Sequence, residues 1–514
     1  MIQRRHLHSG VLFYPRGGSA QVIRYLLPRL AQTRWIPRHF AGSLGQAGST
    51  SHARTFYEGI DVVGVDYNAA VQSTETGNDP IAAPTPMHPS YEDRIGAPDR
   101  IFAAVSPSLY AGLEARWQAS FAAGGMGKAG TVHLHHLTPL QAAARAVAPR
   151  SRMVTTLHGT ELKMLVGMKE RVRISRRLGV PMAQLARDLR DFRPLEAQVA
   201  RLYPRYRSLS EDEQKTVLST RWSHWEHSEF WIEELHRYHS ASDTIVTISD
   251  HDTKVAAEVF GESTREPVQI PNAVDVDHFR PAAPDTSRKL ELLNTWLVDD
   301  AQGWKPGGAP GSIRYTQADV QRLVGPDGRL RPILMFVGRF LEFKNVPTLI
   351  RAFADASRGR EQRPALLVWG GYPGEWENEH PYDVAVECEI TEDVYFVGWR
   401  GHQDLPDGLA VADIMVAPST EEPFGLVYLE AMATKTPVIA TRTGGPRRFV
   451  VDGGENSNGW FAEPGNVPDL VDTIIRSLSH QGDIRRRAEN GYRLVHEHYT
   501  WDRIAAQYDS VLGD

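Results

Sequence analysis

Cysteine is almost missing from this chain. Its 514 residues contain one, Cys388, so no disulfide can form within the chain, and a reducing, cytoplasmic setting is expected. Long apolar runs are also lacking: no window approaches the roughly 18–20 residues that a bilayer-spanning helix needs. At most a peripheral membrane association is expected. The apolar stretch Val11–Tyr14 behind Arg4-Arg5 is shorter than the roughly 7–15 residues of a secretory leader, so export is not expected. Nor does one sign of charge dominate. With 57 Lys+Arg against 63 Asp+Glu, the net charge of −6 offers no whole-protein attraction to a polyanion, and no nucleic-acid partner is expected. Collagen, coiled coil and wholesale disorder are excluded by composition, and 41% hydrophobic residues are enough to build cores without staples.

What is present is a recurring pattern. Short runs rich in Val, Ile, Leu and Phe each end in Gly, Pro, Ser or His, and each is followed by a stretch with helical spacing. In the first half they are Val11–Tyr14, Val132–Leu134, Met153–Leu157, Thr244–Ile248 and Val268–Ile270; in the second, Ile333–Val337, Ala365–Trp369, Val394–Val397, Ile414–Ala417 and Val438–Ala440. Runs apolar throughout predict parallel strands covered on both faces, hence an α/β protein of two doubly wound domains. The spacing predicts a first domain over 1–281 with an insertion at 163–240, and a linker or insertion at 282–331, where Pro306–Gly311 and Pro326–Gly328 concentrate chain breakers. A second domain follows over 332–495, with a closing helix within 496–514 that packs back toward the first. Prolines 80, 84, 86 and 89 mark Ser73–Pro98 as a long loop. Within Lys163–Arg207 twelve Lys/Arg (163, 169, 171, 173, 176, 177, 187, 190, 193, 201, 205, 207) face four acids (170, 188, 191, 196), a basic patch hidden by the acidic average.

Open parallel sheets bind ligands at the carboxyl ends of their strands, so chemistry is sought just after each run. The stretch Glu422-Pro423-Phe424-Gly425-Leu426-Val427-Tyr428-Leu429-Glu430 follows the strand Ile414–Ala417 and opens onto a helix. Pro423 near a helix start and Gly425 where backbone comes close describe a loop feeding a helix N-terminus, whose amides attract phosphate. Two carboxylates, Glu422 and Glu430, flank that end. Read alone, they are equally a dipole-complementing acid and a surface residue.

The segment Ser419–Gly445, S-T-E-E-P-F-G-L-V-Y-L-E-A-M-A-T-K-T-P-V-I-A-T-R-T-G-G, resembles the signature of glycosyltransferase family four, retaining nucleotide-sugar enzymes of the GT-B fold. Phe336-Val337-Gly338-Arg339 with Lys344 resembles the family's G-R…K pattern. Ile270-Pro271-Asn272-Ala273-Val274-Asp275 with Phe279 and Pro281 resembles its I-P-N-G-V-D…F…P segment, with alanine for the usual glycine. Gly17-Gly18 and His158-Gly159-Thr160-Glu161 occupy the places of its glycine loop and H-G-T-[DE] segment. The resemblance implies two Rossmann-like domains facing across a cleft, the first for an acceptor and the second for a donor. It implies retaining transfer of a hexose-type sugar from a UDP- or GDP-sugar to a small-molecule, natural-product or glycan acceptor, by same-face attack.

Such a transfer builds an oxocarbenium-like carbon while a diphosphate leaves with growing charge, so fixed cations must meet the phosphate oxygens. Arg339 and Lys344 suit this, and with the amides of Phe424, Gly425 and Leu426 they make an obligatory metal or other cofactor unnecessary. By resemblance Glu430 receives the ribose hydroxyls, Glu422 faces the sugar hydroxyls, His158 lies near the reacting sugar, and Gly17 and Gly18 lie near the diphosphate. Within His133-Leu134-His135-His136, alternation puts His133 and His135 on one face and His136 on the other, with no Cys or paired acid beside them. No metal site is expected there, and His135 and His136 read as lining the acceptor site. Asp275-Val276-Asp277 reads as a turn, Gly124–Lys128 lacks P-loop spacing, and Trp222, Trp225, Phe230 and Trp231 read as core. The basic patch reads first as a solvated helical pair and second as a receiver of an anionic acceptor or lipid surface. Two other functions stay open: a phosphorylase of the same family, using inorganic phosphate, and a non-catalytic nucleotide-sugar sensor.

Overall fold

A computed structural model of the protein describes residues 4–75, 77–92, 99–190, 194–261 and 266–513. It contains two compact units. The chain up to Ile270 forms the first together with Ala505 onward, and Pro271–Ile504 forms the second.

The first unit is built on seven parallel strands: β1 (Arg5–Val11), β2 (Trp35–Ser43), β3 (Val62–Asp66), β4 (Thr131–His135), β5 (Arg152–Thr156), β6 (Thr244–Thr247) and β7 (Val268–Gln269). Their order is β3-β2-β1-β4-β5-β6-β7, so the direction of winding reverses between β1 and β4. The first strand lies upstream of the expected Val11–Tyr14. Its segment Arg5–Val11 interleaves His6, His8 and Ser9 with apolar residues, so it lacks the unbroken run that marks the others, yet His8 and Ser9 are buried and the strand pairs in register with both β2 and β4. Strands β2 and β3 escape the same reading for the same reason: Pro37, Arg38, His39 and Gly64 interrupt their apolar residues.

The insertion after β5 is helical. Helices Thr160–Leu178, Met182–Asp188, Glu196–Leu202, Glu211–Ser219 and Ser228–Ala241 pack around Trp222 and Trp231, both fully buried, with Trp225 nearly so. Much of the basic patch is engaged inside this unit. Arg177 pairs with Glu213, Arg176 with Glu229 at 3.2 Å, Arg171 lies 3.8 Å over the Trp225 ring, and Lys169 donates to the Val259 carbonyl. Asp191 and Arg193 of that stretch lie outside the described residues, as do 93–98 of the expected loop. That loop carries buried side chains, Ile81, Met87 and His88 among them, so it covers part of the core.

The second unit repeats the plan with six parallel strands: β8 (Ile333–Gly338), β9 (Ala365–Gly370), β10 (Val394–Gly398), β11 (Ile414–Ala417), β12 (Val438–Thr441) and β13 (Gly459–Ala462), ordered β10-β9-β8-β11-β12-β13. Every residue of β9, β10, β11, β12 and β13 is buried, as expected of a sheet covered on both faces. The winding reverses between β8 and β11. The stretch 282–331 belongs wholly to this unit and is no tether between the two. Its Trp304 packs with Leu334 and Phe336 and donates its indole N–H to the Gly371 carbonyl at 2.8 Å, so the prolines and glycines of 306–311 mark a surface turn on a folded unit.

The last helix, Trp501–Gly513, ends in the first unit. There Tyr508 Oη meets Thr156 Oγ1 at 3.2 Å, Trp35 Nε1 donates to Asp509 Oδ1 at 2.7 Å and Thr131 Oγ1 donates to the Leu512 carbonyl at 3.2 Å.

Candidate active site

In the second unit, the loops leaving β8, β11 and β12 meet at the point where the winding reverses. Lys344, half-buried on the short turn after β8, donates from Nζ to Glu422 Oε2 at 2.5 Å, and Ser419 Oγ donates to the same oxygen at 3.1 Å. The Lys344 chain passes over Gly338, where an added Cβ would stand 3.9 Å from its Cδ, so its ammonium stem lies beside the residue that precedes Arg339. Arg339 itself is half-buried. The loop after β8 is tied to the loop after β11 by the Thr420 amide, which donates to the Phe343 carbonyl at 2.7 Å.

Glycines make this packing possible. Gly444, after β12, has φ +58°, and a Cβ there would lie 2.0 Å from the Glu422 carbonyl oxygen; one on Gly445 would lie 2.5 Å from Phe424 Cα. The Gly445 amide donates to the Glu422 carbonyl at 2.8 Å. Two adjacent residues without side chains therefore press directly on the Glu422–Phe424 loop and hold its carboxylate in place. Gly425, left-handed at φ +88°, then turns the chain into the helix Leu426–Ala433, whose first amides have no acceptor within the helix. Phe424 is buried under this turn, and Tyr428, whose phenol burial pushes well above its ordinary pKa, donates to the Ala417 carbonyl at 2.9 Å.

Glu430 stands one turn further along and is 9% exposed, so it is no ordinary surface acid. Its Oε1 meets His402 Nε2 at 3.2 Å, and the His402 carbonyl meets His278 Nε2 at 3.0 Å. Sequence reasoning missed His402: it follows β10 in V-G-W-R-G-H, with only its place after a strand to single it out.

In the first unit a second cluster forms where β4 and β5 end. Gly159, at φ +88°, starts the helix Thr160–Leu178 and lets Glu161 fold back. This carboxylate is fully enclosed and collects three contacts: the His158 amide donates to Oε1 at 3.0 Å, His136 Nδ1 lies 3.1 Å from Oε2 and Thr160 Oγ1 donates to Oε2 at 3.3 Å. His135 Nδ1 lies 3.1 Å from His158 Nε2, and His133 Nε2 lies 2.8 Å from Thr156 Oγ1. Burial, reinforced by neighbouring rings, holds His135 and His158 well below the ordinary imidazole pKa, and burial alone lowers His133 to about 3. These rings are neutral at neutral pH. His135 is completely enclosed and stands behind His158. His136 leaves the strand at φ 67° and turns to Glu161, so both histidines are committed to internal contacts. Gly17 has φ +71° with nothing within 4 Å of where a Cβ would stand, and Gly18 is exposed on the same helix start.

Among the described residues, no group of His, Cys, Asp and Glu has the arrangement of a metal site, and no helix is long and apolar enough to cross a membrane. Asp275 closes a turn by accepting the Phe279 amide at 2.8 Å, the role expected of that segment.

Two doubly wound parallel units with a Lys–Glu pair and a helix N-terminus at a reversal of winding define a protein of the GT-B glycosyltransferase fold. Residues 328–494, most of the second unit's sheet and helices, match the family described as glycosyl transferases group 1, so the second unit carries a domain of that family. Similar proteins include the lipopolysaccharide core biosynthesis glycosyltransferase LpsE of Rhizobium meliloti, 31% identical over 41% of this chain and 59% of that protein. The D-inositol 3-phosphate glycosyltransferase of Corynebacterium jeikeium is 39% identical over 45% of this chain and 48% of its own. The chain thus aligns with about half the length of these relatives. Among solved structures, sucrose-phosphate synthase of Thermosynechococcus elongatus superposes with a TM-score of 0.60 at 18% identity, covering 99% of this chain and 98% of that one. HepE of Anabaena, solved with UDP and glucose, gives 0.58 at 14%, covering 99% and 100%. At these identities the likeness is one of fold.

Proposed function

We propose that this protein is a retaining glycosyltransferase that moves a hexose-type sugar from a UDP- or GDP-sugar to a small-molecule, natural-product or glycan acceptor in the cytoplasm. The observation that carries the reading is the Lys344–Glu422 pair, held by Ser419 and Gly444-Gly445 at the β8/β11 reversal of winding, within the segment that matches the glycosyltransferase family.

Each residue has a task set by its chemistry. Arg339 and Lys344 take the charge that develops on the departing diphosphate, and the amides of Phe424, Gly425 and Leu426 at a helix start add fixed dipoles. Because these groups supply the positive charge, the reading calls for no obligatory metal. Glu422, oriented by Lys344 and Ser419, keeps an oxygen for hydroxyls of the transferred sugar. Glu430, with one oxygen on His402, offers the other to the ribose. In the first unit His158 hydrogen-bonds the reacting sugar, and Gly17 and Gly18 give a diphosphate room to approach backbone. No covalent nucleophile is assigned: the acceptor attacks the face that the diphosphate leaves, and the departing oxygen takes its proton. Several relatives carry acceptors with phosphate or lipopolysaccharide in their names, which supports trying anionic glycans and phosphorylated polyols first.

A thermal-shift panel of UDP, GDP and their sugars, followed by assay of nucleotide release with candidate acceptors, tests the reading. Stabilisation by one nucleotide and turnover of its sugar are expected. Turnover with inorganic phosphate and a disaccharide instead would make the protein a phosphorylase, and donor binding without release under any acceptor would make it a sensor.

A further inference from the structure

We infer that His135 is a positioning residue that fixes His158 in the tautomer carrying its proton on Nδ1, so that His158 meets its ligand as a hydrogen-bond donor. This rests on the proposal that His158 faces the reacting sugar, and it adds which way the proton points and what sets it.

A neutral imidazole has one N–H and one lone pair, and which nitrogen holds the proton follows from the bond the other makes. His135 Nδ1 and His158 Nε2 are 3.1 Å apart, the ring centres are 5.3 Å apart and the planes are inclined by only 27°. That separation places the rings edge to edge, nitrogen toward nitrogen, as an N–H···N bond requires. One of the two nitrogens donates. The other ring nitrogen of His135, Nε2, is buried and has no hydrogen-bond partner among the described residues.

This decides between the two arrangements. If His158 donated from Nε2, His135 would carry its own proton on Nε2, an N–H buried without an acceptor. If His135 donates from Nδ1, its Nε2 is a bare lone pair. Buried N–H groups without partners are rarer in folded proteins than under-used acceptors, because desolvating a donor that then bonds nothing forfeits its full hydration. The proton therefore sits on His135 Nδ1, His158 Nε2 accepts it, and the proton of His158 lies on Nδ1. The backbone of His158 is pinned independently by the hydrogen bond that its N–H donates to Glu161 Oε1, so ring and main chain are both fixed.

The consequence is chemical. A donor on Nδ1 suits a sugar hydroxyl oxygen or an oxygen gaining negative charge. It leaves no lone pair on that edge, so in this state His158 does not act as a general base toward a ligand there.

The test uses the full-length protein labelled with ¹⁵N-histidine, with long-range ¹⁵N–¹H spectra that report which ring nitrogen is protonated; the His158 signals are assigned by their loss in His158→Gln. The wild type is expected to show His158 protonated on Nδ1. His135→Asn, whose amide nitrogen takes the place of Nδ1, should keep that tautomer, whereas His135→Asp places an acceptor there and should move the proton to Nε2. With UDP-glucose or GDP-mannose, whichever turns over, His135→Asp should have a kcat at least tenfold below that of His135→Asn, with UDP or GDP dissociation constants in both within about twofold of wild type. A proton on Nε2 of His158 in the wild type, or equal kcat in the two variants while the tautomer differs, overturns the inference. Should His135→Asp fail to fold, the wild-type spectrum alone decides. If His158→Gln transfers sugar as fast as wild type, the placement of His158 at the sugar fails, and the spectrum still answers for the tautomer.

Discussion

Lys344 is the residue on which most of the proposed donor chemistry turns, and its environment explains why. An ammonium held by Glu422 at 2.5 Å is already oriented, so an arriving diphosphate gains a fixed charge without first ordering a flexible chain. Lys344→Ala is expected to weaken UDP or GDP binding and sugar transfer by about tenfold or more, the loss of one charge-assisted contact. Calorimetric titration and the ratio kcat/KM check it, and unchanged values in both would remove Lys344 from the cradle. Gly444 makes a sharper claim about shape. Its left-handed φ and the 2.0 Å that would separate an added Cβ from the Glu422 carbonyl oxygen mean that Gly444→Ala must move the Glu422 loop. A cost of about 1–3 kcal/mol in stability is expected, together with lost donor affinity, read from denaturant melts and the same titrations. The side chains Arg339, Lys344, Glu422, Glu430 and His158 were singled out as candidates from their order along the chain. Ser419, His402 and the purpose of Gly444-Gly445 were not, because nothing local says that a serine will reach a carboxylate or that two loops will touch.

At the scale of elements, the strands near the β1/β4 reversal carry an unusual load of buried imidazole. His8 on β1 is lowered to about 4, His39 on β2 to about 3 and His133 on β4 to about 3, in each case chiefly by burial. These groups are neutral when folded, while in the unfolded chain they take up a proton near pH 6.5. Below that value the unfolded state binds more protons, so stability falls as pH falls, by about 1.4 kcal/mol per pH unit for each such histidine until its folded pKa is reached. Unfolding of the first unit is therefore expected to advance steeply between pH 6.5 and 4, as followed by far-ultraviolet circular dichroism. A transition unchanged over that range would contradict the burial of these rings. The helix Thr160–Leu178 makes a second case. Its start depends on Glu161, and Glu161→Ala would strand the His158 amide and the His136 ring in an enclosed place, at about 1–3 kcal/mol, seen as a lowered melting temperature. Apolar runs announced the strands covered on both faces, but β1 and β2 mix in His, Arg and Pro and β3 is broken by Gly64, so these three passed unrecognised. Their burial is settled by neighbours distant in sequence.

For the whole molecule, the chain's division is the main result. The boundary falls at Pro271, and the breaker-rich stretch to residue 331 is folded into the second unit because Trp296, Trp304 and Leu293 bury there. The chain then returns, and its last residues complete the first unit through Tyr508, Asp509 and Leu512. Ending the chain after Ile504 would uncover β4 and β5 and leave Trp35 without its acceptor. A loss of about 3 kcal/mol or more is expected, measurable as faster proteolysis of the first unit, with peptides from the second unit unaffected serving as the internal control. The sequence by itself determined the α/β class, two parallel sheets and an ordered set of motifs that resembles a glycosyltransferase family, since apolar periodicity and strand-end residue types are local properties. Only the tertiary structure decided which carboxylate meets Lys344, which histidine stands behind His158 and where the linker ceases to be one. Each of those depends on contacts between residues far apart along the chain, and no local pattern encodes a distance.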